Sequence, residues 1–563
     1  MSSASADTRP LASRIASLVH AHFDRLPARS KPKIFADGSR EWIPMTGIVA
    51  VKGQGSPCET LHCIAVTYVY FLIFRTQMDE YCSRLCSMDR RDFILTSAYR
   101  TGAKCLPASQ IPQCKGLVLH DCHAEILAIR ALNYWLLQEC HALLVEGGKS
   151  PTAATDNLRS SFIQRRAYVG TANSSISLPE SSLKGPLFEI QPDVKFYMYC
   201  TCAPCGDASM ELCMAAQEDA TPWDVCHQTN SDDQDSTSET MLDGRAHFSR
   251  LGIVRRKPAR MDAEPTKSKS CSDKLALRQV TSLFSIETSY LVAPTESAYL
   301  AGLVLPEEEI SQTACTRSFG EQGRMGSLIG RSWPLEKVEG QYLSRIGYRF
   351  RPFQVLSVSN DEIQALWPFA KPKISQTKEG QSGRSVQPET IPPPPKVKPG
   401  NVSSIWTAAP SISHSCVLAT DTGSKTLPVL SHSKTGLYET VINGVKQGNR
   451  QSDPTARGAS SLSRAKLWGL LQNILQSTDC LVKGAEESHK AHSEQKPEAS
   501  PMVQYSGSYE EFKCAGYDPS SPLGIRQSAI QDARRTLGGW VPNRGDETWT
   551  LEVLVDSKRR KER

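Results

Sequence analysis

The chain has 563 residues, of which 39% are hydrophobic and 22% are charged, so it carries enough apolar material for a sizeable core. This composition excludes fibrous proteins, and the longest apolar run, Cys63 to Phe74, is too short to span a bilayer. Residues 1–7 lack an apolar signal region, so we expect an intracellular protein of the nucleus or cytoplasm that is neither secreted nor bound to a membrane. In a reducing compartment, the 18 cysteines are better explained as buried thiols and metal ligands than as disulfides. The net charge of +6 permits a nucleic-acid partner without requiring one.

Hydrophobic periodicity predicts helices that alternate with strands along the first half of the chain. The predicted helices cover residues 15–23, 122–139, 206–217 and 271–284, and the predicted strands cover residues 42–52, 63–66 and 195–201, the second antiparallel to the first. Strands that alternate with helices are typical of an α/β layer fold.

Four segments interrupt this order and are predicted to be loops or disordered insertions within one large domain, residues 10–563. These are residues 68–100, 227–247, 375–400 and 486–500. The first of them begins with a strongly apolar run, YVYFLIF, which is unusual for a solvated loop. Two explanations remain open for it: a retained intron in the gene, or a genuine insertion in this lineage.

The sequence also contains the side chains needed for a catalytic zinc site. His123, Cys205 and Cys271 supply one imidazole and two thiols, and Glu125 supplies a carboxylate that need not bind metal. The three ligands are far apart in sequence, unlike those of a zinc finger, so only a folded domain could bring them together. This arrangement favours catalysis, with Glu125 as the proton carrier.

Each of the three ligands lies where a predicted helix begins. The partial positive charge of a helix N-terminus lowers the pKa of a thiol and favours the thiolate that zinc requires. Two alternatives remain open, a chance cluster of buried thiols and a structural zinc site that uses the CxxC spacing of Cys202 and Cys205.

The motifs around these residues resemble those of a known enzyme family. Zinc deaminases carry an H-x-E…P-C-x-x-C signature, but here Ala208 replaces the second cysteine. Instead, DCHAE (121–125), PCGDAS (204–209) and SCSDK (270–274) resemble, in order, the three signatures of the adenosine deaminases acting on RNA. The resemblance implies a cytidine-deaminase-like α/β fold, a layered mixed sheet with helices on both faces, extended by family-specific C-terminal elements.

Within this family, the chain is more similar to the branch that acts on tRNA. The resemblance begins almost at the N-terminus, so we expect no separate modules that bind double-stranded RNA ahead of it. The resemblance implies hydrolytic conversion of adenosine to inosine at position 37 of alanine tRNA, with Glu125 as the residue that transfers the proton. It implies no DNA partner. The alternatives are a deaminase for duplex RNA, mRNA or cytidine, and a non-catalytic zinc-containing RNA-binding protein.

Two further groups of residues follow from the resemblance. Thr101 and Lys104 match a T-G-x-K-C segment near the substrate, so they are candidates for contact with the RNA ribose and phosphate. For Lys104 the alternative is an ordinary surface lysine.

Arg130 and Lys274 follow His123 and Cys271 at helical spacing, so both cations are predicted to point into the interior, where each needs an anion. Carboxylates could serve, but the resemblance implies a buried inositol hexakisphosphate, with Lys513 and Trp540 as further C-terminal candidates. Three positions after Lys274, where the resemblance implies Arg or Lys, the chain departs from the pattern with Leu277, and Arg278 comes next.

Overall fold

The structure is a computed structural model of the chain. It describes residues 8–28, 31–32, 34, 42–70, 105–147, 160–166, 185–215, 242–244, 249–257, 264–334, 347–370, 402–411, 436–489, 507–514 and 521–555.

These residues contain ten helices and fourteen strands, besides several short 3-10 turns. The helices are α1 (Leu11–Arg25), α2 (Ala124–Gly147), α3 (Met210–Ala215), α4 (Cys271–Thr281), α5 (Ile286–Leu291), α6 (Gln312–Phe319), α7 (Asn360–Leu366), α8 (Arg464–His489), α9 (Tyr509–Cys514) and α10 (Pro522–Leu537). The strands are β1 (Met45–Lys52), β2 (Thr60–Tyr70), β3 (Ile163–Arg165), β4 (Phe188–Ile190), β5 (Val194–Cys200), β6 (Leu242–Asp243), β7 (Arg255–Arg256), β8 (Leu300–Pro306), β9 (Ser332–Trp333), β10 (Tyr348–Arg349), β11 (Gln354–Val358), β12 (Val402–Thr407), β13 (Leu437–Ile442) and β14 (Val445–Lys446).

Eight of the strands form one mixed sheet in the order β11-β8-β5-β1-β2-β12-β13-β14. β5, β8 and β11 run parallel to one another, whereas β1 is antiparallel to both β2 and β5. β12, β13 and β14 extend the other side of the sheet as antiparallel strands. The three remaining sheets have two strands each.

The central strands are apolar on both faces, so helices must cover both. Along β1, Ile48 and Ala50 join the core cluster that contains α2, whereas Val49 and Val51 join the cluster that contains α1. This alternation follows from the two-residue period of a strand. The sheet therefore lies between α1 on one face and α2 on the other.

The C-terminal helices pack against α2 and α4. Trp468 of α8 joins the α2 cluster, together with Phe512 of α9. α10 packs Ala529 and Ala533 against Ala276 and Val280 of α4. Although distant in sequence, this C-terminal part therefore supports the two helices that begin beside His123 and at Cys271.

The fold class predicted from the sequence is confirmed, since the described residues form a layered mixed sheet with helices on both faces. The predicted segments also match observed elements, with shifts of a few residues at their ends. No helix among the described residues has both the length and the apolarity needed to cross a bilayer.

Three predicted insertion boundaries need correction. Residues 68–70 continue β2, because Tyr68 and Val69 are buried and β12 pairs with this part of the strand. Leu242–Asp243, near the end of the second predicted insertion, pairs with β7 as β6. α8 extends to His489, so the fourth insertion cannot begin at residue 486. The remainder of the first insertion and all of residues 375–400 lie outside the described residues.

Candidate metal centre

The first predicted ligand, His123, immediately precedes α2. The Asp121 carboxylate accepts a hydrogen bond from the backbone N–H of His123 at 3.0 Å. The next residues are tied to the sheet, because Thr67 of β2 donates to the Ala124 carbonyl at 2.6 Å and Ser403 of β12 donates to the Cys122 carbonyl at 3.2 Å. The sheet therefore determines where the imidazole emerges.

Cys205 follows β5, and Cys271 is the first residue of α4. Ser270 caps α4, since its Oγ accepts a hydrogen bond from the Asp273 N–H at 3.1 Å. Ser272 joins the two cysteine segments, because its backbone N–H donates to the Cys205 carbonyl at 3.0 Å. Gly206 permits this close approach: it has a φ of +104°, and a Cβ there would collide with Ser270.

The structure brings the three predicted ligands together. The His123 Nδ1 atom lies 3.8 Å from the Cys205 Sγ atom and 3.6 Å from the Cys271 Sγ atom. Tetrahedral zinc, with bonds of about 2.3 Å to sulfur and about 2.0 Å to nitrogen, separates such atoms by roughly 3.5 Å. His123 and Cys205 are partly exposed, whereas Cys271 is buried. The three residues therefore fit a zinc ion that is open on one side.

The pair of thiols loses one proton easily, and a cysteine must be deprotonated to bind a metal. A hydrogen bond from Cys271 lowers the pKa of Cys205 well below its usual value, against the effect of burial and with help from Lys257 and His123. Burial raises the pKa of the Cys271 thiol, as do the neighbouring charges of Cys205 and Glu125. Cys205 therefore carries the negative charge of the pair.

A buried network of charges surrounds these thiols. The Lys257 ammonium donates to Cys271 Sγ at 3.3 Å and to Asp121 Oδ2 at 2.9 Å. Lys274 and Ser268 donate to the same Asp121 oxygen. Burial alone would lower the pKa of Lys257, but Asp121 and the cysteines raise it well above its usual value. Lys257 therefore stays charged and stabilises negative sulfur.

Glu125 lies in the first turn of α2 and is 8% exposed. Its charge is close enough to the thiols to contribute to the raised pKa of Cys271. Within the described part of the chain, no side chain donates a hydrogen bond to the Glu125 carboxylate. A buried carboxylate that is left without a donor beside a metal centre can accept a proton and pass it on.

Two other clusters of possible metal ligands occur among the described residues. One combines Cys105 and His123 with Asp121, whose oxygens already accept hydrogen bonds from two lysines. The other combines Cys114, His120 and Asp546. In that cluster Arg464 donates to both Asp546 and His120, so the counter-charge of the carboxylate is a guanidinium. Of the three clusters among the described residues, only the one formed by His123, Cys205 and Cys271 contains no carboxylate that a lysine or arginine already neutralises.

A second group of cations lies around α2, α4 and α10. Arg130 donates to the Leu462 carbonyl at 2.7 Å, and Arg278 donates to the Phe284 carbonyl at 2.6 Å. Arg526 donates to the same Phe284 oxygen at 3.1 Å. The Nε atoms of Arg526 and Arg534 are buried and have no hydrogen-bond partner among the described residues. Burial, together with Arg526 and Arg130, lowers the pKa of Arg278 to about 9.

The remaining predicted site residues are distributed around these two groups. Lys274 pairs with the Asp121 carboxylate, and Lys513 lies 3.4 Å from the Glu547 carboxylate. The Trp540 ring has the Lys269 ammonium 5.6 Å and the Arg534 guanidinium 5.6 Å from its centre. Thr101 and Lys104 lie outside the described residues. Cys202 belongs to none of the three possible ligand clusters in the described part of the chain.

The fold and this site fit one class of protein, a deaminase built on a mixed α/β sheet. Residues 98–319, less than half of the chain, match the adenosine-deaminase (editase) domain family. This match confirms the resemblance inferred from the motifs.

Individual relatives point in the same direction. The chain is 33% identical to tRNA-specific adenosine deaminase 1 of Schizosaccharomyces pombe over 340 residues, which are 60% of this chain and 66% of that protein. It is 27% identical to the Saccharomyces cerevisiae protein of the same name over 302 residues, 53% of this chain and 59% of that protein. Double-stranded RNA-specific editase B2 of Mus musculus matches at 27% over 131 residues, 23% of this chain and 13% of that protein. The chain thus spans less than two thirds of the length of these curated relatives.

Sequence reasoning missed several residues that organise the site. Asp121 lies inside the first motif, but its role appears only when Lys257 and Lys274 are seen to meet on it. Arg526 and Arg534 are eight residues apart on α10, about two turns, which would have indicated one shared helical face. Lys257 carries no such signal, because a two-residue strand and a loop place it beside Cys271.

Proposed function

We propose that this protein is a zinc-dependent hydrolase that deaminates adenosine to inosine in tRNA. The observation that supports this most directly is the convergence of one imidazole nitrogen and two thiol sulfurs within 4.8 Å of one another. The buried Glu125 carboxylate at the start of α2 supplies the proton carrier that hydrolysis needs. A structural zinc would not require such a residue.

The chemistry divides between the metal and the protein. Zinc held by His123, Cys205 and Cys271 would supply a Lewis acid that makes water nucleophilic near neutral pH. Glu125 takes the proton from water as it attacks C6 of a flipped-out adenine, and returns it to the departing ammonia. Lys257 donates to the Cys271 sulfur and would stabilise the thiolate of a metal-bound Cys271, and Asp121 holds Lys257 and the His123 backbone in place.

The relatives that cover most of the chain are named as tRNA-specific deaminases, which supports tRNA as the substrate. Within tRNA we propose position 37 of alanine tRNA, as the sequence motifs imply. The editase that acts on double-stranded RNA matches a shorter part of the chain, so duplex RNA is the competing substrate. The cysteines whose side chains the structure describes are free, which fits the intracellular location that we infer.

We also propose inositol hexakisphosphate as a buried cofactor. Arg130, Arg278 and Arg526 meet backbone carbonyls, and no carboxylate of the described residues lies within ion-pair distance of them. Buried cations without counter-charge are costly, and a polyphosphate would offset that cost. Lys274 and Lys513 already contact carboxylates, so they would lie at the edge of such a site.

The function is tested with Glu125→Gln, which keeps the size of the side chain but removes the proton carrier. Purified protein is incubated with alanine tRNA, duplex RNA or free cytidine, and inosine or uridine is measured by mass spectrometry. The wild type is expected to form inosine at one tRNA position. The variant should lose about 100-fold or more in kcat and retain its zinc, since Glu125 is not a ligand.

The matched control is Glu296→Gln, a carboxylate that is exposed at the protein surface and pairs with Arg351. It should have wild-type activity. If the wild type binds tRNA but converts no base, and Glu125→Gln binds tRNA equally well, the chain would instead be a non-catalytic RNA-binding protein. Conversion of duplex RNA or cytidine in preference to tRNA would support the alternative enzymes.

The cofactor is tested on the same preparation. Acid extraction should release phosphate equivalent to about one inositol hexakisphosphate per chain, identified by its mass. Protein that contains zinc but no organic phosphate would contradict this part of the proposal and leave the deaminase assignment intact.

A further inference from the structure

One short segment outside the metal centre contacts both cysteine-bearing segments. It consists of α6 and the turn that follows, and it ends at Arg324. The turn is tight, because the Arg324 N–H donates to the Arg317 carbonyl at 2.9 Å and the Gly323 N–H donates to the Gly320 carbonyl at 3.0 Å. A Cβ on Gly323 would lie only 2.5 Å from the Arg317 carbonyl oxygen. The segment is therefore a rigid support.

Arg317 connects this support to the Cys205 segment. Its Nε atom lies 3.0 and 3.1 Å from the two carboxylate oxygens of Asp207, two residues after Cys205. Its Nη1 atom donates to Glu211 at 2.7 Å. Asp207 is 1% exposed, and it also accepts hydrogen bonds from Ser318 and from the backbone of Gly252. The Nε–H group that both Asp207 oxygens share, together with these two further donors, fixes the position and the orientation of the carboxylate.

Arg324 connects the same support to the Cys271 segment. Its Nη1 atom lies 2.5 Å from Asp273 Oδ1, and the two side chains are 6% and 0% exposed. Asp273 stands two residues after Cys271 and accepts hydrogen bonds from Ser270 Oγ at 2.6 Å and from the Arg255 N–H at 3.0 Å. The ion pair therefore reaches the first turn of α4, in which Cys271 lies.

We propose that Arg317 and Arg324 are positioning residues that hold Cys205 and Cys271 at the spacing a metal requires. Each arginine pairs with an aspartate two residues after a ligand cysteine, and both arginines belong to one rigid segment. This inference rests on the proposed metal centre. Since neither arginine touches the metal or the substrate, its loss should weaken metal binding, and activity should fall only as a consequence.

The first test replaces the forked guanidinium and keeps the charge, in Arg317→Lys and Arg324→Lys. Zinc affinity is measured by competition with a chromophoric chelator, and the visible spectrum of the cobalt-substituted protein reports how the two thiolates are arranged. Each variant is expected to lose about 10-fold or more in zinc affinity and to show altered thiolate-to-cobalt bands. The control Arg351→Lys changes an exposed ion pair, with side chains 33% and 74% exposed, and should match the wild type.

A second variant guards against loss of folding. Arg324→Met combined with Asp273→Asn removes the ion pair without leaving a buried charge uncompensated. It should retain the far-UV circular dichroism of the wild type in excess chelator and still bind zinc about 10-fold more weakly.

The outcomes separate this inference from the proposed function. If the wild type binds zinc and deaminates tRNA while all three variants bind zinc within twofold of it, the positioning role is wrong and the enzyme assignment stands. If the variants lose secondary structure in chelator in proportion to their loss of zinc, the arginines support the fold in general and the inference also fails. A wild type that binds no zinc overturns both proposals.

Discussion

Two buried charged regions lie near each other in this protein, and they are neutralised in different ways. Around the cysteines, the carboxylates of Asp121, Asp207 and Asp273 each contact a lysine or arginine. Around α2 and α10, Arg278 and Arg526 contact only backbone carbonyls among the described residues. Burying a charge without a partner is far more costly than burying a pair. The first region is therefore neutralised by its own side chains, whereas the polyanion proposed above would neutralise the second.

The largest effect is expected in the neutralised region, from Asp121→Asn. Burial alone would raise the pKa of Asp121, but Lys257 and Lys274 lower it well below its usual value, so it is charged at neutral pH. The variant leaves the buried Lys257 and the partly exposed Lys274 without their counter-charge and should lower the free energy of unfolding by about 3–5 kcal/mol. Urea unfolding followed by tryptophan fluorescence measures this change.

The matched control is Asp532→Asn. Asp532 also meets two cations, but its partners Arg331 and Arg535 are 41% and 74% exposed. Solvent screens these pairs, so the control should change stability by about 1 kcal/mol or less. Equal losses in the two variants would show that burial does not distinguish the pairs, and the comparison between the regions would then fail.

An intermediate effect is expected from acid, at the edge of the cation-rich region. Burial lowers the pKa of His120 to about 4, although it contacts Asp546, and Arg464 adds to the lowering. The fold thus favours the neutral imidazole. The stability that the neutral His120 imidazole contributes is fully present above pH 6.5, the approximate pKa of a histidine in the unfolded chain. About 3 kcal/mol of this stability is lost as the pH falls towards 4.

His120→Gln should remove this part of the pH dependence. The comparison is made with His20→Gln, since burial also lowers the pKa of His20 to about 4, but on the opposite face of the sheet, beside Tyr199. Free energies of unfolding measured between pH 7 and pH 4 should decline less steeply in each variant than in the wild type. A wild-type slope in His120→Gln would mean that folding leaves the pKa of this imidazole unchanged.

Much of the fold was predictable because the period of the apolar residues identifies the elements that cover the sheet. Ile48 and Val49 face opposite clusters, as a strand with two buried faces requires. The grouping of the three candidate ligands was predictable because His123, Cys205 and Cys271 each precede or begin a helix. The apolar residues 68–70 were assigned to an insertion although they continue β2, since their partner strand β12 comes more than 300 residues later. Long-range pairings of this kind leave no local signal.

The same limit applies to the charges around the site. Arg130 and Lys274 were predicted to share one environment from helical spacing alone. Lys274 instead meets Asp121, whereas Arg130 donates to the Leu462 carbonyl of the C-terminal part. Which cation finds a carboxylate depends on contacts between segments far apart in sequence, and spacing along one helix does not contain that information.

The smallest effect, and the one most specific to the comparison, is expected from Arg278→Met. Without a polyanion, removing one of several buried cations relieves repulsion and should raise the free energy of unfolding by about 1 kcal/mol. With inositol hexakisphosphate added, the sign should reverse, because the wild type gains a partner that the variant binds more weakly. Thermal unfolding with and without the added polyphosphate measures both changes.

The control for this reversal is Arg535→Met, on the same helix as Arg526 but 74% exposed and paired with Asp532. It should shift the unfolding temperature equally with and without the polyphosphate. Destabilisation by Arg278→Met under both conditions would mean that the carbonyls of Ser282 and Phe284 neutralise the guanidinium well enough on their own. The two regions would then differ in the chemistry of their partners but not in their need for an outside ion.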